Sequence, residues 1–157
     1  MTVRIDVGST REPVIAMTHV LDAPRELVWL AFTTPEHVVR WYGGAGFTNP
    51  VCEMDVRAGG RWRHVMRTPD GVDHEYEFVF VEVVPPERLV WRAERGDPGK
   101  PLPVNALTLE DLGRRTRIVF EARFATFAER ALAARWGFAE VLRQGAERLR
   151  TVVASIG

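Results

Sequence analysis

Residues 23–42 read APRELVWLAFTTPEHVVRWY and carry the start signals of two short helices, followed by an aromatic cluster. Pro24 and Pro35 each fit the first turn of a helix, where a missing backbone N–H leaves no hydrogen bond unmade. Glu26 places a carboxylate at the positive end of the first helix dipole. The stretch therefore predicts two consecutive short helices, and the second reaches about Tyr42.

Strand-like segments lie on both sides of these helices. Residues 14–21 are rich in β-branched and apolar side chains and predict a first strand. Between residues 47 and 124, turn residues such as those at 58–60, 68–71 and 85–87 separate six further strands. The sequence therefore predicts a curved antiparallel sheet of about seven strands.

A helical pattern runs from about Thr126 to the end of the chain. Thr126 and Glu129 have the spacing of a capping box, which marks a helix start. As one helix, about 28 residues would span roughly 42 Å, with Gly137 as the position where it would bend or break. Apolar residues recur at spacings of three and four and predict one buried stripe: Ala134, Phe138, Val141, Leu142, Gly145, Leu149, Val152 and Val153.

Composition sets limits on the class of protein. The chain has 157 residues, of which 46% are hydrophobic, so we expect one folded domain over residues 12–155 after an N-terminal extension at 1–11. Its formal net charge of zero gives no support for nucleic-acid binding.

Cys52 is the single cysteine, which excludes an internal disulfide and a cysteine-based metal cluster. Without a signal peptide or a bilayer-spanning apolar run, we expect a cytoplasmic protein that does not insert into membranes.

Hairpin geometry predicts which side chains share a face of the sheet. If residues 69–71 form a three-residue loop, Thr68 pairs with Val72. That register pairs Trp62 with Phe78, His64 with Tyr76, and Met66 with His74. A three-residue connection at 58–60 would likewise pair Val56 with Trp62, Met54 with His64, and Cys52 with Met66.

The two faces of the sheet differ in character under these registers. One face is apolar and aromatic, and on the remaining strands it continues through Phe80, Trp91, Leu107, Leu109, Ile118, Phe120, Ala122 and Phe124. The other face carries complementary charges, with Asp55 beside Arg63 and Glu77, and Arg67 beside Asp73. Such cross-strand pairs contribute about 0.2–1 kcal/mol each. The first strand leaves two alternatives for its inward side chains, Thr18 with Val20 or Met17 with His19.

The apolar face must be covered, and the long C-terminal helix is the element available to cover it. Bulky rings held apart by that helix would enclose a cavity. We expect its wall to include ten side chains: Trp62, His64, Tyr76, Phe78, Phe80, Trp91, Leu107, Phe120, Phe138 and Leu142. A cavity filled by these rings themselves is the alternative.

The order of one strand, two short helices, six strands and a long helix resembles the START and birch-pollen-allergen-like superfamily. That superfamily has the helix-grip fold of lipid-transfer domains and polyketide cyclases. Over about residues 12–153, the chain is most similar to the bacterial branch named for its likeness to the C-terminal domain of the heat-shock protein 90 ATPase activator. Five motifs carry this similarity, at 23–29, 34–37, 40–41, 55–62 and 84–91. The resemblance implies a cavity that accepts hydrophobic or amphipathic molecules, without implying one activity.

His64 is the main polar side chain that this arrangement would place in the cavity. A buried histidine beside the Tyr76 hydroxyl could orient a ligand carbonyl or act as a general acid or base. The alternative is a core histidine that is hydrogen-bonded to Tyr76 or to water. Asn105 and Thr108 are further polar candidates for contact with a ligand.

We therefore expect a protein that binds a small hydrophobic or aromatic-containing molecule, with no cofactor and no assigned catalytic residue. No metal site is expected, because His74 and Glu75 point to opposite faces of a strand. Two other functions stay open: a cyclase- or lyase-type enzyme that uses His64 and Tyr76, and a cofactor that stimulates the heat-shock protein 90 ATPase. A homodimer is also compatible with the sequence, whereas no residue pattern supports a chaperone partner.

Overall fold

The helices and strands follow the order predicted from the sequence. The computed structural model describes residues 3–157. Pro35 lies in the first turn of the second helix, as predicted, whereas Pro24 lies one residue before the first helix, at its N-cap. In chain order the elements are β1 (Arg4–Asp6), β2 (Val14–Leu21), α1 (Arg25–Thr33), α2 (Pro35–Trp41), β3 (Thr48–Met54), β4 (Arg61–Arg67), β5 (Asp73–Val84), β6 (Arg88–Arg95), β7 (Val104–Asp111), β8 (Thr116–Arg123), α3 (Phe127–Arg135) and α4 (Phe138–Ile156).

The eight strands of the described residues form one antiparallel sheet in the order β1-β2-β8-β7-β6-β5-β4-β3. This α+β architecture, with a long C-terminal helix and two short helices after the first long strand, confirms the predicted helix-grip fold. One strand is additional: β1, within the segment expected to be an N-terminal extension, pairs Arg4 with Thr18 on β2. Its three residues are too few to show the alternating pattern by which strands are predicted.

The hairpin of β4 and β5 has the predicted register. The backbone N–H of Thr68 donates to the carbonyl oxygen of Val72 at 2.9 Å, which closes the turn. Gly71 has a φ of +89°, as the left-handed position of that turn requires. As predicted, the aligned pairs are Trp62 with Phe78, His64 with Tyr76, and Met66 with His74.

The predicted register of β3 and β4 is wrong by two residues. Met54 pairs with Trp62 and Cys52 with His64, because the connection spans residues 55–60 instead of 58–60. Gly60 makes this wider turn, since a Cβ at that position would lie 1.9 Å from the Asp55 carbonyl oxygen. A shift of two residues leaves each side chain on its predicted face. The charged neighbour of Arg63 is consequently Glu53, at 3.6 Å, and Asp55 pairs with Arg57 at 2.8 Å.

The inner face of the sheet is buried as expected. Phe80, Leu107, Ile118 and Ala122 have no exposed surface, and Phe124 is also buried. On β2 it is Met17 and His19 that point inward, which settles the alternative left open by the sequence. The apolar side chains of α1, α2 and α4 pack against this face and complete the core.

The C-terminal helical region is two helices instead of one. The Thr126 hydroxyl accepts a hydrogen bond from the backbone N–H of Glu129 at 3.1 Å, so the predicted cap is present. Gly137 has a φ of +88° and separates α3 from α4, because this left-handed conformation cannot continue a right-handed helix. No helix within residues 3–157 combines the length and the apolarity needed to span a bilayer.

The two edges of the sheet differ in length. On one side the sheet ends with β1, which has three residues. On the other side it ends with β3, which contains Pro50. The pairing of β3 with β4 is irregular between Thr48 and Val51, around this proline.

One arginine on α4 forms hydrogen bonds with the backbone at the end of α2 and in the segment between α2 and β3. The Arg148 guanidinium donates hydrogen bonds, at distances from 2.8 to 3.4 Å, to the carbonyl oxygens of Arg40, Tyr42, Gly43, Gly44 and Phe47. Gly145 permits the close approach, since a Cβ there would lie 3.3 Å from the Gly43 oxygen. Burial lowers the pKa of Arg148 from its ordinary value, and the surrounding oxygens compensate the buried charge.

We expect Arg148→Ala to lower the free energy of unfolding by about 2–4 kcal/mol, because it removes several charge-assisted hydrogen bonds whose contributions are not additive. Urea unfolding followed by tryptophan fluorescence measures this loss. Arg143→Ala, on the same helix, is the matched control: Arg143 is exposed and pairs with Glu140, and such pairs contribute about 0–1 kcal/mol. Equal losses in the two variants would contradict this role for Arg148.

Candidate functional site

A cavity of about 400 Å³ lies between the inner face of the sheet and α4. Its volume falls within the range of small-molecule pockets, about 300–1,000 Å³. The sheet contributes Phe78, Trp91, Ala93, Asn105 and Phe120, and α4 contributes Phe138, Val141, Leu142, Ala146 and Leu149. Most of the wall is therefore aromatic or aliphatic.

Six of the ten predicted wall residues line this cavity: Tyr76, Phe78, Trp91, Phe120, Phe138 and Leu142. The other four, Trp62, His64, Phe80 and Leu107, lie in the packed core instead, and none is more than 2% exposed. Aromatic contacts fill the space beside them. The Trp62 ring centroid lies 4.7 Å from that of Phe78 and 6.0 Å from that of Phe80. Because these rings touch, the open volume lies towards the start of β5 and the loop after β6.

His64 is held within the core by two side chains. The indole N–H of Trp62 donates to His64 Nδ1 at 3.2 Å, and His64 Nε2 lies 2.8 Å from Asn49 Oδ1. Asn49 Nδ2 donates to the carbonyl oxygens of Val39 and Tyr42. An indole nitrogen can only donate, so Nδ1 is the acceptor and the ring proton resides on Nε2.

The predicted role of His64 as the main polar contact of the cavity is therefore not supported by its position. Both ring nitrogens are occupied, and the Tyr42 ring, which belongs to the cavity wall, lies against the imidazole at a centroid distance of 4.2 Å. Burial lowers the His64 pKa to about 4, which keeps the ring neutral at pH 7. His64 and Tyr76 are register partners, yet the hydrogen bonds of His64 go to Trp62 and Asn49.

A polar cluster, consisting of His74, Tyr76, Asp97 and Lys100, lines the cavity on the side of the loop after β6. His74 Nδ1 lies 2.7 Å from Asp97 Oδ2, and Lys100 Nζ lies 3.3 Å from the same oxygen. Burial raises the pKa of the Tyr76 hydroxyl, and the adjacent Asp97 carboxylate raises it further. The Lys100 ammonium also lies 4.5 Å from the centre of the Trp136 ring, which is half exposed. This cluster makes one side of the wall polar, whereas most of the remaining wall is apolar.

Sequence reasoning missed this cluster because Asp97 and Lys100 lie in a loop of glycines and prolines. The β5–β6 register gives no signal for it, because continuing the pairing of Arg95 with Glu77 by two residues places Asp97 opposite Glu75. The side chain of Glu75 lies on the other face of β5 from His74 and Tyr76.

The two further polar candidates lie on opposite faces of β7. Thr108 is on the outer face, where its hydroxyl accepts a hydrogen bond from Arg88 at 3.0 Å. Asn105 is on the inner face, is 6% exposed and lines the cavity. Of the pair, only Asn105 is placed to meet a molecule inside the cavity.

An antiparallel sheet with a cavity beneath its C-terminal helix is the architecture of a helix-grip protein. Residues 22–154 match the family model described as Activator of Hsp90 ATPase homolog 1-like protein, and the chain belongs to this family. A search of curated proteins gave no match.

Solved structures of bacterial proteins share the fold. A protein from Nitrosomonas europaea is 24% identical, with 94% of this chain and 97% of that chain covered and a TM-score of 0.84. A protein from Arthrobacter aurescens is 22% identical, with 97% and 91% covered and a TM-score of 0.88. CalU16 from Micromonospora echinospora is 21% identical, with 98% of each chain covered and a TM-score of 0.63. At these identities the similarity shows the fold alone.

The buried, neutral His64 makes stability depend on pH. Its pKa is about 4 in the folded chain against 6.5 ordinarily, so the unfolded chain binds more protons between these values. Stability is therefore lost as pH falls through this window, and His64 accounts for about 2 kcal/mol of loss between pH 7 and pH 5. We expect His64→Gln to remove this part of the loss, as measured by urea unfolding at both pH values.

His37→Gln is the matched control, because His37 is partly exposed on α2. It should retain the pH dependence of the unsubstituted protein. A His64→Gln protein whose stability falls as much as that of the control between pH 7 and pH 5 would contradict the assignment.

Proposed function

We propose that this protein binds a small hydrophobic or aromatic molecule in the cavity between the sheet and α4. The observation that carries the proposal is the distribution of polarity in the wall. Phe78, Trp91, Phe120, Phe138 and Leu142 make most of it apolar, while the ionisable groups gather in the cluster around Asp97.

This distribution favours binding over catalysis. Apolar walls stabilise a bound molecule in proportion to the apolar surface removed from water, about 25 cal/mol per Å². An enzyme of the cyclase or lyase type would need a free acid–base pair, and His64 has both nitrogens engaged. In the cluster, His74 and Lys100 both contact the same Asp97 oxygen. The Lys100 ammonium and the Asp97 carboxylate compensate each other's charge.

The family supports the proposal only in general terms. Membership and the shared fold are compatible with a carrier or receptor of small molecules, since the same fold hosts several activities. The residues in the cavity wall therefore decide between ligand binding and catalysis. We expect a ligand whose body is apolar and whose size fits about 400 Å³.

The proposal is tested by placing a charge inside the cavity. We expect Leu142→Arg to weaken the binding of the uncharged fluorescent probe N-phenyl-1-naphthylamine at least tenfold, because a desolvated guanidinium without a partner is strongly disfavoured in an apolar cavity. Probe fluorescence measures the binding, and far-UV circular dichroism confirms that the variant is folded. Phe78→Arg should have the same effect from the sheet side.

Arg63→Ala is the control on the outer face, where Arg63 is exposed and pairs with Glu53. It should bind the probe as the unsubstituted protein does. Leu142→Trp supplies an uncharged test, because the larger side chain occupies part of the cavity and should weaken binding of the probe. If all four variants bind the probe equally well, the ligand does not occupy this cavity and the proposal is wrong. Mass spectrometry of molecules that copurify with the folded protein would then identify the natural ligand or show that none is retained.

A further inference from the structure

We infer that the ligand carries a neutral group which both donates and accepts hydrogen bonds, such as a carboxamide, a lactam or a phenol, and that Asn105 binds this group beside Trp91. The inference rests on the proposed function, because it names the chemical class that the same cavity selects. Its basis is a polar side chain in the apolar wall for which the protein supplies no partner.

Asn105 occupies a position at which its neighbours are apolar. It faces inward from β7, between Trp91 on β6 and Ala122 on β8, and the next inward residues on β7 are Leu107 and Leu109. The side chain is 94% shielded from solvent and lines the cavity. Within residues 3–157 no side-chain hydrogen bond involves the Asn105 amide, and its polar atoms are not sealed off in the core but face the cavity. Because an amide that is desolvated without a partner costs about 1–3 kcal/mol, a molecule that displaces water from this position has to supply hydrogen bonds in its place.

Two other polar side chains of this protein, one half-buried and one buried, do have hydrogen-bond partners. The half-buried Asn49 donates to two backbone carbonyl oxygens and lies 2.8 Å from His64. The Thr116 hydroxyl donates to the carbonyl oxygen of Ala23 at 2.7 Å. The unpaired amide of Asn105 is thus unlike the polar groups that stabilise the core. It is aimed at the space where we propose that the ligand binds.

Trp91 adds a second donor next to this amide. The indole N–H groups of Trp62 and Trp41 donate to His64 and to the carbonyl oxygen of Ala31, respectively. In contrast, the indole N–H of Trp91 has no acceptor within the described part of the chain. Because Trp91 and Asn105 are register partners, their Cβ atoms lie about 4.5–5.5 Å apart. One ligand group can therefore meet the Asn105 oxygen as an acceptor and the two side chains as donors.

The same geometry selects a neutral group. The wall near Asn105 consists of side chains such as Ala93, Phe120 and Phe124, which cannot compensate a charge. A carboxylate or ammonium brought to this position would lose its hydration without gaining a counter-ion, at a cost of several kcal/mol. The ionised groups of the wall, Asp97 and Lys100, pair with each other in the polar cluster. Any charge on the ligand is therefore expected on that side.

The test compares three ligands of nearly the same shape: 2-naphthamide, which is neutral and polar, 2-naphthoate, which is charged, and 2-methylnaphthalene, which is apolar. Dissociation constants are measured by quenching of tryptophan fluorescence at pH 7.5. We expect the unsubstituted protein to bind 2-naphthamide at least tenfold more tightly than either of the other two. Asn105→Leu should bind 2-naphthamide and 2-methylnaphthalene with affinities within about threefold of each other.

Thr108→Val is the matched control on the outer face of β7, and it should retain the preference for 2-naphthamide. Thermal melts of the ligand-free proteins show whether Asn105 acts in ligand recognition or stabilises the fold. Asn105→Leu should melt at the same temperature as the unsubstituted protein or above it, because the lost amide has no partner within the described part of the protein. A clearly lower melting temperature would show that Asn105 stabilises the fold and would overturn the inference.

The outcomes distinguish this inference from the proposed function. If the unsubstituted protein binds all three compounds equally well, the cavity binds aromatic molecules but Asn105 does not select among them, and the inference alone is wrong. The inference alone is also wrong if Asn105→Leu keeps the full preference for 2-naphthamide. In that case the Asn105 amide is hydrogen-bonded to ordered water and not to the ligand. If none of the three compounds binds, the proposed function fails, and the inference fails with it.

Discussion

The hydrogen bonds of Arg148 determine where the cavity can be. One guanidinium holds the backbone of residues 40–47 against α4, and this segment carries Tyr42 and Gly43 into the cavity wall. Tyr42 in turn lies against His64, whose partner Asn49 donates back to the Tyr42 carbonyl oxygen. These contacts fix the positions of α4, of residues 40–47 and of the β3–β4 hairpin relative to one another. The cavity is the space between the sheet and α4 that these contacts leave open, towards the start of β5 and the loop after β6.

Polar groups inside the protein fall into two kinds. His64, Asn49 and Thr116 satisfy one another or nearby carbonyl oxygens, so their contribution is to the stability and uniqueness of the packing. Asn105 and the cluster around Asp97 border the cavity, where a second molecule can reach them. The distinction depends on the partners of each group and not on its depth, since Asn49 is only half-buried and is paired, whereas Asn105 is buried and is not.

The sequence was sufficient for features that depend on local geometry. The order of elements, the β4–β5 register and the identity of the inner face followed from alternation and from turn residues. The β3–β4 register could not be predicted, because the close approach of Gly60 to the Asp55 oxygen becomes apparent only in three dimensions. The environment of His64 depends on Asn49, which is brought to it by the irregular part of β3. The cluster around Asp97 depends on the path of a loop that has no periodic pattern.

Pro50 and the short β1 strand have a consequence for how copies of this chain can associate. A proline offers no N–H to an incoming strand, and the pairing of β3 with β4 is irregular around Pro50. At the opposite end, three residues give an incoming strand little backbone to bind. Both edges of the sheet therefore offer fewer regularly spaced backbone groups to a strand of another molecule than the inner strands would.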